Sequence, residues 1–295
     1  MKFKFWGVRG SIPSPGPRTV RFGGNTTCIE VRTDAGELLI LDAGTGIFQL
    51  AQSLPKSGVN AHIFISHSHW DHIHGLPFFT PLFFPGNRVR LHGGTDARTG
   101  SGIREVMQVQ LQYAFFPVLE SEMAAAIEYE PLRTGQRFQV NDACVRNVQM
   151  NHPVLNLGYR IDCQGKSLFF TGDHEPFYNL QAPGSPAWSK LEHENAARMA
   201  EILDCMRGVD ALIVDCTYTE EEYQRDKLQW GHGTFDSAFA MAHAAGAKTL
   251  FCTHHEPTRS DEELCQAFDE ACARNLPGMP GLQAVLAYEG LEVTL

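Results

Sequence analysis

An apolar run, HIFIS at 62–66, leads straight into HSHWDHIHG at 67–75, so one short segment releases four histidines, an aspartate and a tryptophan from its end. No other feature limits the fold as much. Imidazoles and a carboxylate lose hydration when buried and need partners that replace it. A strand that ends in such a cluster belongs to a sheet whose strand ends hold a site. In an extended segment His67 and His69 point the same way, because side chains alternate with a period of two. Asp71 and His72, after a turn, face a second point.

Histidine makes up 13 of 295 residues, so three His and one Asp at this spacing arise by chance with odds of about one in a thousand. The arrangement fits two metal ions that share a water. Two ions roughly 3.5–4 Å apart lower the pKa of a bridging water and stabilise a leaving oxygen. Neutral imidazole with carboxylate suits zinc, with manganese or iron as alternatives, rather than calcium. The competing reading is a group of solvated loop histidines.

The formal charge of −10 disfavours a protein that coats nucleic acid, because that binding needs many Lys and Arg to neutralise phosphates. A small anion held by a few local cations is compatible with it. The start, MKFKFWGVRG, alternates apolar and basic residues like a strand and lacks the apolar core of a secretory signal. No stretch is long and apolar enough to span a membrane. The eight cysteines are scattered with no C-x-x-C pair, as expected for reduced core residues of a cytoplasmic protein.

With 43% hydrophobic residues the chain can bury one large core, and a single domain over 1–295 is expected. Strands are predicted at Phe3–Trp6, Thr27–Arg32, Glu37–Asp42, His62–Ser66, Arg88–His92, Gly158–Asp162, Ser167–Thr171, Ala211–Val214 and Thr249–Thr253. Ser185 before Pro186 starts a helix that runs to about Met206. Thr234 caps a second helix, stopped by Gly246, and Ser260 with Glu263 makes a capping box for a third that ends near Arg274. This order suits a layered α/β sandwich. Residues 93–135, which include QLQYAFFPVL, interrupt the strand series and read as an insertion or lid.

The motif HSHWDH resembles the H-x-H-x-D-H signature of the metallo-β-lactamase superfamily, and the resemblance extends over most of the chain. It implies a four-layer αββα sandwich and further ligands after successive strands: His152 in NHP, Asp173 in TGDHE and His254 in FCTHHEP. His67, His69 and His152 would bind one ion, Asp71, His72 and His254 the other, and Asp173 would bridge them. Asp42, in LILDAG, matches a family aspartate that supports the ligand loop. From the residues alone, His152 can also be a turn residue before Pro153, and His254 competes with His255, the first lying closer to the strand end. Asp173 follows SLFF and Thr-Gly, where a bare carboxylate at the edge of a buried sheet needs a metal or donor partner. His74 and His174 flank the site, while His62, His92, His193 and His243 read as ordinary surface or core residues.

LIVDCTY and GHGTF resemble the acid–base elements of the phosphodiesterase branch, which includes the tRNA 3′-processing endonucleases. Asp71, Asp215 and His232 are the candidate catalytic residues, His232 protonating a departing alkoxide while Asp215 holds it. The endonucleases have glutamate where this chain has Asp215, one methylene longer. Asp215 as a strand-end cap and His232 as a loop residue is the other reading.

GVRGSIP and RFGGNTTC resemble a bacterial branch described as cyclic-nucleotide phosphodiesterase-like; Arg9 or Arg21 would meet a phosphate there, or the glycines only shape turns. Those endonucleases grip tRNA with a basic protruding arm, and the 93–135 segment is neither long nor basic. The expected activity is therefore hydrolysis of a small phosphodiester, such as a cyclic nucleotide or cyclic phosphate, by a hydroxide on a dinuclear centre, with large nucleic acid disfavoured and a homodimer possible. Trp70, Phe78, Phe79, Phe83, Phe84, Tyr113, Phe115 and Phe116 are candidates to wall a pocket for a planar group. Carboxylic ester, thioester or lactam hydrolysis on the same metals is the first alternative, and a non-hydrolytic or diiron redox module the second.

Overall fold

Alternation sets the architecture. In the run Leu38–Leu41, Leu38 and Ile40 join one hydrophobic cluster while Leu39 and Leu41 join another. In Ala211–Asp215, Leu212 and Val214 likewise part company with Ala211 and Ile213. Strands that are apolar on both faces need a cover on each, and two sheets stacked face to face with helices outside provide it.

The computed structural model, which describes residues 1–96, 98 and 100–295, has this layering. The first sheet contains β1 (Lys2–Gly7), β2 (Cys28–Arg32), β3 (Leu38–Leu41), β4 (Asn60–Phe64), β5 (Arg88–Gly94) and β6 (Ala126–Leu132). The second contains β7 (Arg137–Val140), β8 (Ala143–Gln149), β9 (Leu157–Cys163), β10 (Lys166–Phe170), β11 (Ala211–Asp215), β12 (Thr249–Thr253) and β13 (Gln283–Leu286). The last strand, β14 (Glu292–Thr294), returns to the first sheet beside β1, so the orders are β14-β1-β2-β3-β4-β5-β6 and β13-β12-β11-β10-β9-β8-β7. In each sheet one half pairs antiparallel and the other parallel.

Helices α1 (Ile47–Ser53) and α3 (Ile103–Gln110) cover the first sheet through Ile47, Leu50, Ile103 and Met107. The one-turn helix α2 (Trp70–Ile73) follows β4, and α5 (Glu220–Glu222) follows β11. The second sheet is covered by α4 (Pro186–Met206), α6 (Phe235–Ala245) and α7 (Asp261–Asn275), with Ile202, Phe239 and Leu264 in the shared core. The three long helices start where the sequence places them: Ser185, Thr234 and Ser260 each accept a backbone N–H of the first turn. Gly246 ends α6 in the left-handed conformation at φ 65°.

Two expectations change. The 93–135 segment contains β6, which pairs in parallel along the whole of β5, so its end is a strand of the first sheet rather than an interruption of it. Five strands, β6, β7, β8, β13 and β14, go beyond the predicted set. The eight cysteines are free thiols, Cys144, Cys265 and Cys272 being partly exposed. Among the described residues no helix is long and apolar enough to cross a membrane.

Strands β3, β4 and β5 run parallel, as do β10, β11 and β12, and β8 shares their direction because it is antiparallel to β9, itself antiparallel to β10. The loops leaving β3, β4, β8, β10 and β12 carry Asp42, the histidine motif, His152, Asp173 and His254, and β11 ends on Asp215. Carboxyl ends of parallel strands are where α/β sheets place ligands.

Away from these loops, His62 Nδ1 lies 2.9 Å from His92 Nε2, and the His92 ring stacks on Phe64 at 4.4 Å and Phe138 at 5.8 Å. Burial, with His62 and Arg90 adding to it, depresses His92 from 6.5 to about 3. The unfolded chain therefore takes up this proton first, and the stability it underwrites falls as pH drops from about 6.5 toward 3. One such proton changes stability by about 1.4 kcal/mol per pH unit at most. Urea unfolding between pH 7 and 4 is expected to show a shallower acid loss in His92→Phe than in the wild type; identical slopes would exclude His92 as a source.

Candidate metal centre

The local chain makes the motif two-faced. His69 is extended (φ −64°, ψ 150°) and α2 begins at the next residue, so His69 leaves from extended backbone and Asp71 and His72 from a helical turn. The loop after β3 comes underneath it: Asp42, at φ 61°, accepts from the Ser66 N–H at 2.6 Å and the Ser66 hydroxyl at 2.7 Å. A left-handed aspartate is a strained residue that surrounding contacts must hold.

Seven side chains from these loops meet in two quartets that share Asp173. His67, His69, His152 and Asp173 form one, and Asp71, His72, Asp173 and His254 the other, with the ligand atoms of each within 4.8 Å of one another. Asp173 divides its oxygens between them. Oδ2 lies 3.4 Å from His67 Nε2 and 3.9 Å from His152 Nε2. Oδ1 lies 3.1 Å from His72 Nε2 and 3.2 Å from His254 Nε2. Asp71 Oδ2 is 3.2 Å from His72 Nε2 and 3.1 Å from His254 Nε2, and His69 Nδ1 is 3.1 Å from His152 Nε2.

The inward atoms are poor partners for one another. His67 Nε2, His72 Nε2 and both oxygens of Asp173 are buried without a hydrogen bond. Buried polar groups are ordinarily paired, and imidazole nitrogens and carboxylate oxygens that converge without hydrogen-bond partners fit a cation. Imidazole nitrogen with carboxylate oxygen is the donor set of zinc, manganese or iron. The residues present therefore fit divalent metal.

Four of the five rings have the outward nitrogen occupied, which fixes which nitrogen faces in. His72 Nδ1 donates to Asp42 Oδ2 at 2.6 Å, and His152 Nδ1 donates to the Gly231 carbonyl at 2.8 Å. The Ser66 hydroxyl, having donated to Asp42, accepts from His67 Nδ1 at 3.1 Å. The Thr217 hydroxyl donates to Asp215 Oδ1 at 2.6 Å and accepts from His254 Nδ1 at 2.9 Å. Such partners hold ring orientation and tautomer.

Electrostatics divide the two quartets. Burial, reinforced by His72, holds His67 well below its ordinary value, and burial brings His152 to about 4, so both are neutral lone-pair donors. Burial alone would also depress His72 and His254, but Asp173, with Asp71 and Asp42 at His72 and Asp215 at His254, outweighs it and raises both.

Beside the second quartet, His232 Nδ1 lies 3.0 Å from Asp215 Oδ2 and 3.7 Å from Asp173 Oδ2, its ring stacked on His254 at 4.8 Å. The aspartate, though shorter than glutamate, reaches the ring. Burial opposes protonation of His232, but Asp215 and Asp173 prevail and raise it to about 9. Asp215 is buried and also accepts from the backbone N–H of Thr217 and of His174.

His255 turns away and pairs Nε2 with the Ala287 carbonyl at 2.8 Å. His174 is buried and accepts the Asn151 N–H at its Nδ1, and His74 is exposed beside Trp70. The phosphate reading of Arg9 is corrected. Its side chain is fully buried, and four of its five N–H groups donate to the carbonyls of Gly23, Glu256 and Arg259 and to Asp261, so it is spent on the protein's own groups rather than on an anion at the surface. Arg21 instead contacts Cys265 and Phe22.

The glycine-rich start supports the cluster: Ser11 N–H donates to Asp71 Oδ2 at 2.8 Å, and a Cβ on Gly10 would meet the His254 ring at 2.3 Å. Of the aromatic candidates, Phe79 is core, Phe116 packs on Phe78 and Phe83, and Trp70, Tyr113 and Phe115 are exposed. Ser66, Thr217, Ser11 and the Gly231 carbonyl are supporting groups the sequence reading did not single out. For Ser66, Thr217 and Gly231 the one sequence signal is position, immediately before or two after a residue of the site; Ser11 has no such signal.

A family model described as Beta-lactamase superfamily domain matches residues 38–255, a span that includes every residue of both quartets. A ribonuclease Z of Haloarcula marismortui is 26% identical over an alignment that covers 99% of this chain and 96% of that protein. The crystal structure of human tRNase Z, short form, has a TM-score of 0.64 at 17% identity, covering 100% of this chain and 99% of that one. A diphosphatase from the PhnP family has a TM-score of 0.63 at 21% identity, covering 100% and 97%. The two solved structures share the fold with this chain.

Metal should stabilise the folded protein. A ligand at a hundred times its Kd adds about 2.7 kcal/mol, which corresponds to about 4 °C in Tm at this size. Zinc or manganese added to chelator-treated protein is expected to raise Tm by this order, and Asp173→Asn to abolish most of the rise. An equal rise in both proteins would mean that the metal binds elsewhere.

Proposed function

The chain belongs to the beta-lactamase superfamily and is a metal-dependent hydrolase, and we propose from that premise that it cleaves phosphodiesters with His232 as the acid. The observation that carries this reading is the His232–Asp215 pair, 3.0 Å apart and stacked against His254. Hydrolysis of a thioester or an activated ester, whose leaving group departs as a stable anion, has no need of such an acid.

His67, His69 and His152 would hold one zinc ion, Asp71, His72 and His254 a second, and Asp173 would serve both. When bound, the ions supply Lewis-acid stabilisation of phosphoryl oxygens and an activated nucleophile. The chain's own residues do the rest. Asp215 accepts the Nδ1 proton of His232 and leaves Nε2 to carry the proton for the departing alkoxide. The rise of His232 to about 9 keeps that proton in place at neutral pH.

Two further facts bear on the substrate. The relatives named ribonuclease Z and tRNase Z widen the expectation from cyclic nucleotides to the phosphodiesters of RNA. Trp70, 78% exposed, stands between His69 and Asp71, and Trp230, 57% exposed, immediately precedes Gly231. Aromatic faces stack on bases at about 1–3 kcal/mol each. A net charge of −10 weighs against a long polyanion. A diester of one or a few nucleotides, free or at an RNA end, meets both constraints.

His232→Ala is expected to lower kcat by about 10²–10⁴ on a dinucleotide, whose leaving group is an alkoxide, and much less on bis(p-nitrophenyl) phosphate, whose phenolate leaves unaided. Equal turnover by mutant and wild type on the dinucleotide would remove the acid role. In the same assay Trp70→Ala and Trp230→Ala are expected to raise KM for dinucleotides by about 5- to 150-fold, as lost stacking of that size implies. Unchanged KM in both would leave base recognition to other residues. A 3′-extended tRNA assayed beside the dinucleotide decides the size question: strong preference for the tRNA would favour a folded substrate.

A further inference from the structure

Two residues beyond Asp173 lies another buried carboxylate, Glu175, which the reaction as described does not use. Its side chain is enclosed by donors from a single loop. Oε1 accepts the Tyr223 hydroxyl at 2.9 Å and the Gln229 N–H at 2.6 Å, and Oε2 accepts the Gly231 N–H at 3.0 Å. The Gly231 carbonyl, on the other side of the same residue, accepts the Nδ1 proton of His152.

The backbone of Glu175 reaches the other flank of that histidine: its N–H donates to the Asn151 carbonyl at 2.9 Å, and its carbonyl accepts from the Asn151 amide at 3.0 Å. One residue thus braces His152 from both sides.

The loop needs such a brace. Gln229 and Gly231 are both left-handed, at φ 73° and 88°, and a non-glycine residue there is strained. A Cβ on Gly231 would meet His152 Nδ1 at 2.7 Å, so only glycine lets the carbonyl approach the ring. Leu228 and Trp230 are exposed, and the buried side chain at the start of the loop, Tyr223, is tied by its hydroxyl to Glu175 itself. His232 follows Gly231 directly and inherits its placement.

We infer that Glu175 is a positioning residue for the metal centre: by gathering three donors of the 223–231 loop, it fixes the Gly231 carbonyl that selects the His152 tautomer and sets where His232 stands. The inference rests on the reading of His152 as a metal ligand. Glutamine at 175 keeps the shape but turns one acceptor into a donor, which then faces an N–H it cannot accept.

The test measures His152 in metal-free protein by ¹⁵N NMR and zinc affinity by competition with a chelator. Wild-type His152 is expected to carry its proton on Nδ1 alone. In Glu175→Gln the ring is expected to populate both tautomers and zinc to bind about 10- to 100-fold more weakly, the range seen when partners of ligating histidines are removed. Glu175→Asp retains the charge and is expected to recover part of both losses, which a merely structural defect would not follow; it also serves should Glu175→Gln fail to fold.

A Glu175→Gln protein with one Nδ1–H tautomer and wild-type zinc affinity would overturn the inference, as would Glu175→Asp matching wild type in both measures if the first variant does not fold. Failure of wild-type protein to bind zinc would instead overturn the metal reading itself.

Discussion

A carboxylate with no hydrogen-bond donor, buried among imidazoles, is the constraint on which the rest of this structure depends. Asp173 is 1% exposed, and neither oxygen has a hydrogen-bond partner. An isolated ionised carboxylate in such a place is costly and tends instead to shift its pKa and take up a proton. Here the shift runs the other way: burial would raise Asp173, but His254, His72, His67 and His232 draw it well below the ordinary range. The site is held open as an array of charge and lone pairs, and the fold supplies what this needs. Strand ends from both sheets converge on it, with an apolar core between the sheets and another behind each.

Rigidity of the array comes from the rings' outer nitrogens. A histidine can swing about two torsions, and a hydrogen bond on the far nitrogen removes most of that freedom. Four rings have such a bond, and the acceptors come from four different places: Asp42 after β3, Ser66 after β4, Thr217 after β11 and the Gly231 carbonyl before α6. The ligand loops are therefore cross-tied to one another through their supports. Ser66 alone links Asp42 to His67, and Asn156 ties the carbonyls of Thr171 and Asp173 to the loop that leads into β9.

What the sequence discloses follows from where each element lies. All strands flanked on both sides were legible except β8, because apolar runs such as LLIL and ALIVD reflect burial on two faces. The four edges, β14, β6, β13 and β7, were not. Edge strands carry polar residues toward solvent, as in AIEYEPL and RFQV, and the pattern that marks an inner strand is diluted. β8, ACVRNVQ, is hidden by Arg146 and Asn147 in its middle. The ligand candidates were legible because strand ends followed by His or Asp are visible in one dimension. Their supports were not, since Gly231 and His152 are 79 residues apart and Thr217 and His254 are 37. Arg9 misled for the same reason: its acceptors at 23, 256, 259 and 261 cannot be seen from GVRG.

Asp215 shows how a carboxylate shorter than glutamate holds His232. Its Oδ2 takes the His232 Nδ1 proton, while its Oδ1 accepts the Thr217 hydroxyl that in turn accepts from His254. One carboxylate thus fixes the tautomer of His232, the proposed acid, and, through Thr217, that of His254 in the neighbouring quartet. Asp215 is the last residue of β11, so its short side chain inherits the stiffness of a central strand, with β10 and β12 paired on either side. A longer side chain would reach the same imidazole with one more rotatable bond and less certainty of angle. The 3.0 Å contact at His232 is made from the last residue of a central strand, so His232 and the two quartets share a single frame of reference.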